Sequence, residues 1–255
     1  MNSVSVRALL VRGMLAGLAA GVLALIVAYL LGEPQVDSAI AFEEAHSHEH
    51  GGEEAVSRTL QSTAGLATGV LVYGVALGGI AALAFCVALG RVGRFGPRAT
   101  AALVSLGALL TVYVVPFLKY PANPPAVGDP DTIAKRTTLY FLMIALSVLL
   151  AVCAVVLGKR LAPRLGAWYA TVAAAAGFVV AVGLAYAFLP AINEVPEGFS
   201  ATLLWRFRLS ALATQLLLWT GFGLVFGHFA ERLLTPRPAS GTRTGTAAPA
   251  ATPTS

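Results

Sequence analysis

Leu146-Ser147-Val148-Leu149-Leu150-Ala151-Val152-Cys153-Ala154-Val155-Val156-Leu157 lies within a stretch, Thr137–Gly158, that contains no Asp, Glu, Lys or Arg. Polar and apolar residues do not alternate along it. It therefore does not read as a strand of a membrane barrel, whose segments of about 10 residues face lipid and lumen in turn. At about 1.5 Å per residue, a helix of this length crosses a hydrocarbon core of about 30 Å. Gly13–Gly32, Thr59–Gly90, Ala99–Leu118, Leu165–Asn193 and Leu209–Ala230 share the property.

The reading is an all-α integral membrane protein, a bundle of six transmembrane helices. They are placed at about residues 8–31, 62–89, 99–118, 138–158, 167–189 and 207–230 of a membrane domain spanning 1–234. A His- and Glu-rich loop occupies 33–58, and the tail 235–255, rich in Pro, Ala, Thr, Ser and Gly, reads as disordered. Composition agrees: 57% of the 255 residues are hydrophobic and 11% charged, with a mean hydropathy of +0.79. Soluble domains carry about 25% charged residues. Disorder of the whole chain would need low hydrophobicity and high charge, and two Cys exclude a disulfide-stapled scaffold.

The scarce charges give the orientation. Placing the N-terminus inside leaves eleven of the seventeen Lys and Arg on the cytoplasmic side, where the short turns at Gly90–Arg98 and Gly158–Arg164 each hold three bases and no acid. The positive-inside rule thus predicts N-in and C-in. Eleven of the twelve acids then face outward, leaving only Glu231 within. The outer face attracts cations, and the inner bases suit anionic lipid headgroups rather than nucleic acid. A cleaved signal peptide ending at Ala39-Ile40-Ala41 is the rival reading of the first span. The apolar run is long for one, and Glu33, Pro34 and Asp37 separate it from that site.

Glu43-Glu44-Ala45-His46-Ser47-His48-Glu49-His50 is the one constellation with definite chemistry, holding three of the four His in the chain. Imidazole and carboxylate suit divalent first-row metals. His46, His48, His50, Glu43, Glu44 and Glu49 are the candidate ligands, and the competing reading is a solvated loop without a metal. Pro116, Pro121, Pro124 and Pro125 predict that the third helix stops at the membrane surface in extended chain, because each Pro lacks a donor and has a fixed φ. Glu194 either pairs with Arg206 or Arg208 or presents a carboxylate at a pore mouth.

Gly13, Gly17 and Gly21, and Gly74 and Gly78, form smooth helix faces for close packing. Gln215, the one amide well inside a span, reads as helix glue. Cys86 and Cys153 share a depth, where free Cys behaves as a small hydrophobe. There is no P-loop, no charge deep in a span, and no catalytic motif, so the chain does not read as an enzyme. A divalent cation entering down a membrane potential gains about 4.6 kcal/mol per 100 mV, twice the value for one charge, so uptake needs no chemical energy source.

Gly32-Glu33-Pro34, Val56-Ser57-Arg58, Phe117-Leu118-Lys119-Tyr120-Pro121-Ala122-Asn123-Pro124-Pro125, Asn193-Glu194-Val195-Pro196 and Leu204-Trp205-Arg206-Phe207-Arg208 together resemble the CbtA family of predicted cobalt transporter components. The resemblance runs from Arg7 to Arg232. It implies a multi-pass protein of the bacterial or archaeal inner membrane that serves cobalt uptake for cobalamin synthesis. The partner it implies is a small single-span protein with a His-rich end, CbtB-like. Glu33, Asn193 and Glu194 fall in its blocks on the outer face and are the expected entrance. The cargo would be Co²⁺, with Ni²⁺ or Zn²⁺ as alternatives, and no resident cofactor is expected. The lipid bilayer is a partner, and a homo-oligomer is compatible with the sequence. The rival function is a non-transporting metal-binding scaffold or sensor.

Overall fold

The structure, a computed structural model, describes residues 3–46 and 57–235. Helix α1 (Ser3–Val27) runs through a π turn, Ala28–Gly32, into α2 (Glu33–His46). Then follow α3 (Arg58–Ala88), α4 (Pro97–Lys119), α5 (Ile133–Phe188) and α6 (Ala201–Leu234). Among the described residues there is no strand, and five helical rods are long and apolar enough to cross a membrane.

The segment from Glu33 to His46, expected as loop, is helical. Pro34 should interrupt the ladder, since it lacks an N–H and its ring crowds the carbonyl four residues back. The π turn ahead of it absorbs the defect, with the Glu33 N–H reaching Ala28 O. The same device carries α4 through Pro116, inside the expected span 99–118. In the π segment Leu109–Val114 the Val115 N–H bonds Leu110 O, and helical geometry resumes for Val115–Lys119. Extended chain begins only at Tyr120. At the far end of the bundle, α3 closes in a turn at Gly90, whose φ is +73°.

The core lies between α1, α3, α4 and α6. Helix α1 packs on α3 and α6, and α4 packs on α6. Leu9, Phe85, Phe222 and Phe226 fill its middle, with the Phe85 and Phe226 rings edge to face at 5.1 Å. Where α1 crosses α3 the backbones touch. A Cβ on Gly17 would run into the Gly74 carbonyl, and one on Gly78 into the Gly13 carbonyl. Small residues permit that approach where lipid offers no hydrophobic drive to pair helices.

Helix α5 has 56 residues, which as one rod would measure about 84 Å, far beyond a bilayer. Gly166, at φ 77° and ψ 160°, is not helical, and it divides α5 into arms 133–165 and 167–188. Gly158 lies against Ala174, and Met143 and Leu150 pack with Phe178 and Val182. The pairs Gly158–Ala174 and Leu157–Gly177 centre on residues 166 and 167, so the arms fold back on one another. The turn falls at 166 rather than at 158, because Lys159, Arg160 and their neighbours extend the helix.

Since neither backbone can retreat at the α1–α3 crossing, Gly17→Val and Gly78→Val should each lose stability at the upper end of the overpacking range of about 1–3 kcal/mol. Gly69→Val, where a Cβ meets nothing within 4 Å, should be nearly neutral. Melting temperatures of the three purified variants in detergent check this.

Candidate functional site

Four segments converge at one end of the bundle: the end of α4, the Pro-rich chain 120–132 with the first turns of α5, the chain 189–200, and the first turns of α6. Helix α2 lies across them, with Ala39 and Phe42 packed on Val127, Phe199 and Leu204.

Missing donors explain how the segments are tied. Pro190 has no N–H for the Tyr186 carbonyl four residues earlier, and the Lys119 Nζ donates to that oxygen at 2.9 Å. The Tyr120 hydroxyl donates to Pro190 O at 2.9 Å, and burial pushes this phenol above its ordinary pKa, keeping it a neutral donor. In α4 the Val115 N–H serves Leu110 O, so Thr111 O has lost its usual helical donor. The Ser147 hydroxyl donates to it, and the Tyr186 hydroxyl donates to Val115 O. A buried carbonyl without a partner would cost about 1–3 kcal/mol, so Lys119 and Ser147 replace bonds that Pro190 and the π turn removed, while Tyr120 and Tyr186 add further ties between the segments.

Between these segments opens a cleft of about 230 Å³ lined by Tyr113, Phe117, Tyr120, Asn123, Arg136 and Tyr140. The Glu194 side chain beside it is 4% exposed and accepts from the Thr132 hydroxyl and the Arg136 guanidinium. Its ion-pair partner is thus Arg136, not the expected Arg206 or Arg208. Arg208 is held by neutral oxygens, donating from Nε to Ala122 O at 3.3 Å and from Nη2 to Asn123 Oδ1 at 3.0 Å. Asn193 is exposed and shares a small pocket with Arg136, Glu194 and Arg208.

Glu33 sits in a second network. Arg58 pairs with Glu33 and, at 2.8 Å, with Asp37, joining the start of α3 to that of α2. Glu43, Glu44 and His46 are exposed at the end of α2. The His46 ring stacks on Phe42 with centroids 4.1 Å apart, and its Nδ1 lies 2.8 Å from Phe42 O. His48, Glu49 and His50, like the tail beyond residue 235, lie outside the described residues. Among the described residues no three His, Cys, Asp or Glu gather as a metal site. Cys86 packs against the main core, whereas Cys153 lines the groove between the arms of α5.

Thr132, Arg136, Tyr113 and Tyr140 were not singled out in the sequence. Pro190 signals only Lys119, the donor that meets the Tyr186 carbonyl.

Residues 6–231 match the family described as probable cobalt transporter subunit (CbtA). The chain belongs to the CbtA family. No curated protein and no solved structure matches it. Its apolar helices and its family make it a multi-pass membrane protein, and the family description suggests a cobalt transporter subunit. A transporter family suggests a non-enzyme, and the family description implies that a CbtA protein works with a partner.

Charge-assisted hydrogen bonds contribute about 1.5–3 kcal/mol each. Glu194→Gln and Arg136→Gln should each lower the apparent melting temperature in detergent. The double variant should lose clearly less than the two losses added, because both remove one interaction. Lys135→Gln, at an exposed neighbour of Arg136, serves as the control expected to change nothing.

Proposed function

We propose that this CbtA protein is the membrane-spanning component of an uptake system for a divalent transition-metal cation, Co²⁺ destined for cobalamin synthesis. It would sit in the cell inner membrane beside a small single-span, His-bearing CbtB-like partner. The family match across residues 6–231 carries the reading.

Counting the two arms of α5 separately turns five rods into six spans, which puts both termini on one side. The basic segment 158–164, which leads into the turn at Gly166, then lies inside together with Arg91, Arg94 and Arg98, as the positive-inside rule requires. In this orientation the cleft, Glu33 and Glu194 face outward. Metal gathered by His46, His48, His50, Glu43, Glu44 and Glu49 would pass to an entrance shaped by Glu33, Asn193 and Glu194. Because Arg136 occupies the Glu194 carboxylate, an arriving cation exchanges with a guanidinium rather than meeting a bare charge. Inward movement follows the membrane potential.

Topology has a direct test. In a chain with Cys86→Ala and Cys153→Ala, Glu197→Cys should react with an impermeant thiol reagent added to intact cells, and Arg164→Cys only after the membrane is opened. The reverse pattern overturns the orientation.

Cells that depend on this system should accumulate cobalt at limiting supply, and lose that accumulation when the chain and its partner are deleted. Unchanged accumulation refutes the transport reading, and metal binding without flux in liposomes makes the protein a sensor or scaffold. Replacing His46, His48 and His50 together with Ala should weaken cobalt binding by the purified protein.

A further inference from the structure

Arg208, near the start of α6, is half-buried, whereas Arg206, about 200° away around the helix, is exposed. Arg208 turns toward the chain 120–132, its Nε donating to Ala122 O at 3.3 Å and its Nη2 to Asn123 Oδ1 at 3.0 Å. Both acceptors are neutral. A guanidinium carries five N–H donors and a permanent charge, and drawing it out of water is costly unless an anion faces it. Yet among the described residues Arg208 makes no ion pair. The Glu194 oxygens accept from Thr132 and Arg136, while Asp129, Asp131 and Glu197 are exposed and pair with neither arginine.

Arg208 and Arg136 line one small pocket together with Asn123 and Asn193. Its volume of about 30 Å³ holds about two waters or the two oxygens of a carboxylate, and not the four of a phosphate. Tyr120, Asn123 and Arg136 line the larger cleft as well, so the two spaces adjoin. No acid lines the cleft, whose one charged residue is Arg136 and whose walls carry the rings of Tyr113, Phe117 and Tyr140. Two guanidiniums against the single carboxylate of Glu194 leave one positive charge in excess where the spaces meet. That excess repels a bare cation and attracts an anion. The planar fork of a guanidinium matches the paired oxygens of a carboxylate.

We propose that Arg208 and Arg136 form a binding site for a small carboxylate, with its head between the guanidiniums and its body in the aromatic-walled cleft. The use of such a site rests on the transport reading, although its existence does not. A metal that takes Glu194 releases Arg136, and a carboxylate carried on that metal gives the freed guanidinium a new partner. Cation and arginine thus exchange partners without either charge standing bare.

Citrate is the probe, titrated by calorimetry into the purified full-length protein in neutral detergent without metal. Binding should be saturable. Arg208→Gln should weaken it at least about tenfold, the effect of losing a charge-assisted hydrogen bond. Lys135→Gln, which removes an equal charge at an exposed position outside both cavities, should leave it unchanged. Should Arg208→Gln fail to fold, Asn193→Asp supplies the pocket with a carboxylate of its own, and should weaken citrate binding to a similar degree while raising the melting temperature. No saturable binding, or binding at wild-type strength in whichever variant folds, overturns the site. Displacement by an equal concentration of inorganic phosphate overturns its assignment to carboxylates. The cobalt–citrate complex distinguishes the sources of the ligand. If it binds more tightly than citrate alone, the carboxylate arrives on the metal; equal or weaker binding makes the free acid the ligand and overturns the exchange. Cobalt flux into liposomes under an inside-negative potential separates site from transport: citrate binding without flux overturns transport and leaves the site, and flux without citrate binding does the reverse.

Discussion

In hydrocarbon no water is available to a backbone group that loses its helical partner, and this constraint organises the structure at its decisive points. The π turns before Pro34 and Pro116 and the Pro at position 190 each take donors away from the helical ladder. At Pro116 and Pro190 the loss is made good from the neighbouring element: Ser147 serves Thr111 O, Lys119 serves Tyr186 O. The same bonds join α4 to both arms of α5. Helix α5 has little else to hold it, since it makes its principal contacts with α4 and with itself. The helix defects are therefore what attaches the hairpin to the bundle, and the cleft opens along that seam.

The rest of the bundle is held differently. At the α1–α3 crossing the contact is backbone on backbone, and between α4 and α6 the Ser105 hydroxyl donates to Trp219 O. Such packing leaves no space for a passage. The cleft opens instead between the end of α4 and the start of α5, lined by Tyr113, Phe117, Arg136 and Tyr140, away from the α1–α3 crossing. Rigid and permissive regions are thus separated by the choice of residue at each helix contact.

Much of this was legible in the sequence. Uninterrupted apolar length located the five long apolar helices, and glycine spacing located the α1–α3 face. Gly90 and the basic cluster after Gly158 marked turns, the second displaced because Lys159 and Arg160 are good helix formers and the chain waits for Gly166. The π turns were not legible, because Pro34 and Pro116 look like helix breakers unless the hydrogen bonds before them are known to shift. Nor was the Glu194–Arg136 pair. Charge alone gave Glu194 several candidate bases, and only the approach of the chain after α5 to the first turn of α5 decides among them.

Sorting charges by side suggested an outer face that simply attracts cations, and the structure refines the physics of that idea. Glu33 and Asp37 share Arg58, and Glu194 holds Arg136, so each carboxylate already faces a tethered cation, with one negative charge left over at Arg58. A divalent ion that replaces Arg136 gains one charge over the guanidinium yet must give up part of its hydration. Such exchange discriminates by hydration and charge more than it concentrates metal. No Asp, Glu, Lys or Arg lies deep in a span, so no step of the proposed path binds the ion deeply. The gain of about 4.6 kcal/mol per 100 mV for a divalent cation then exceeds what any one uncharged contact supplies. On this reading the potential provides the force, and the protein contributes selection at the mouth and low resistance within.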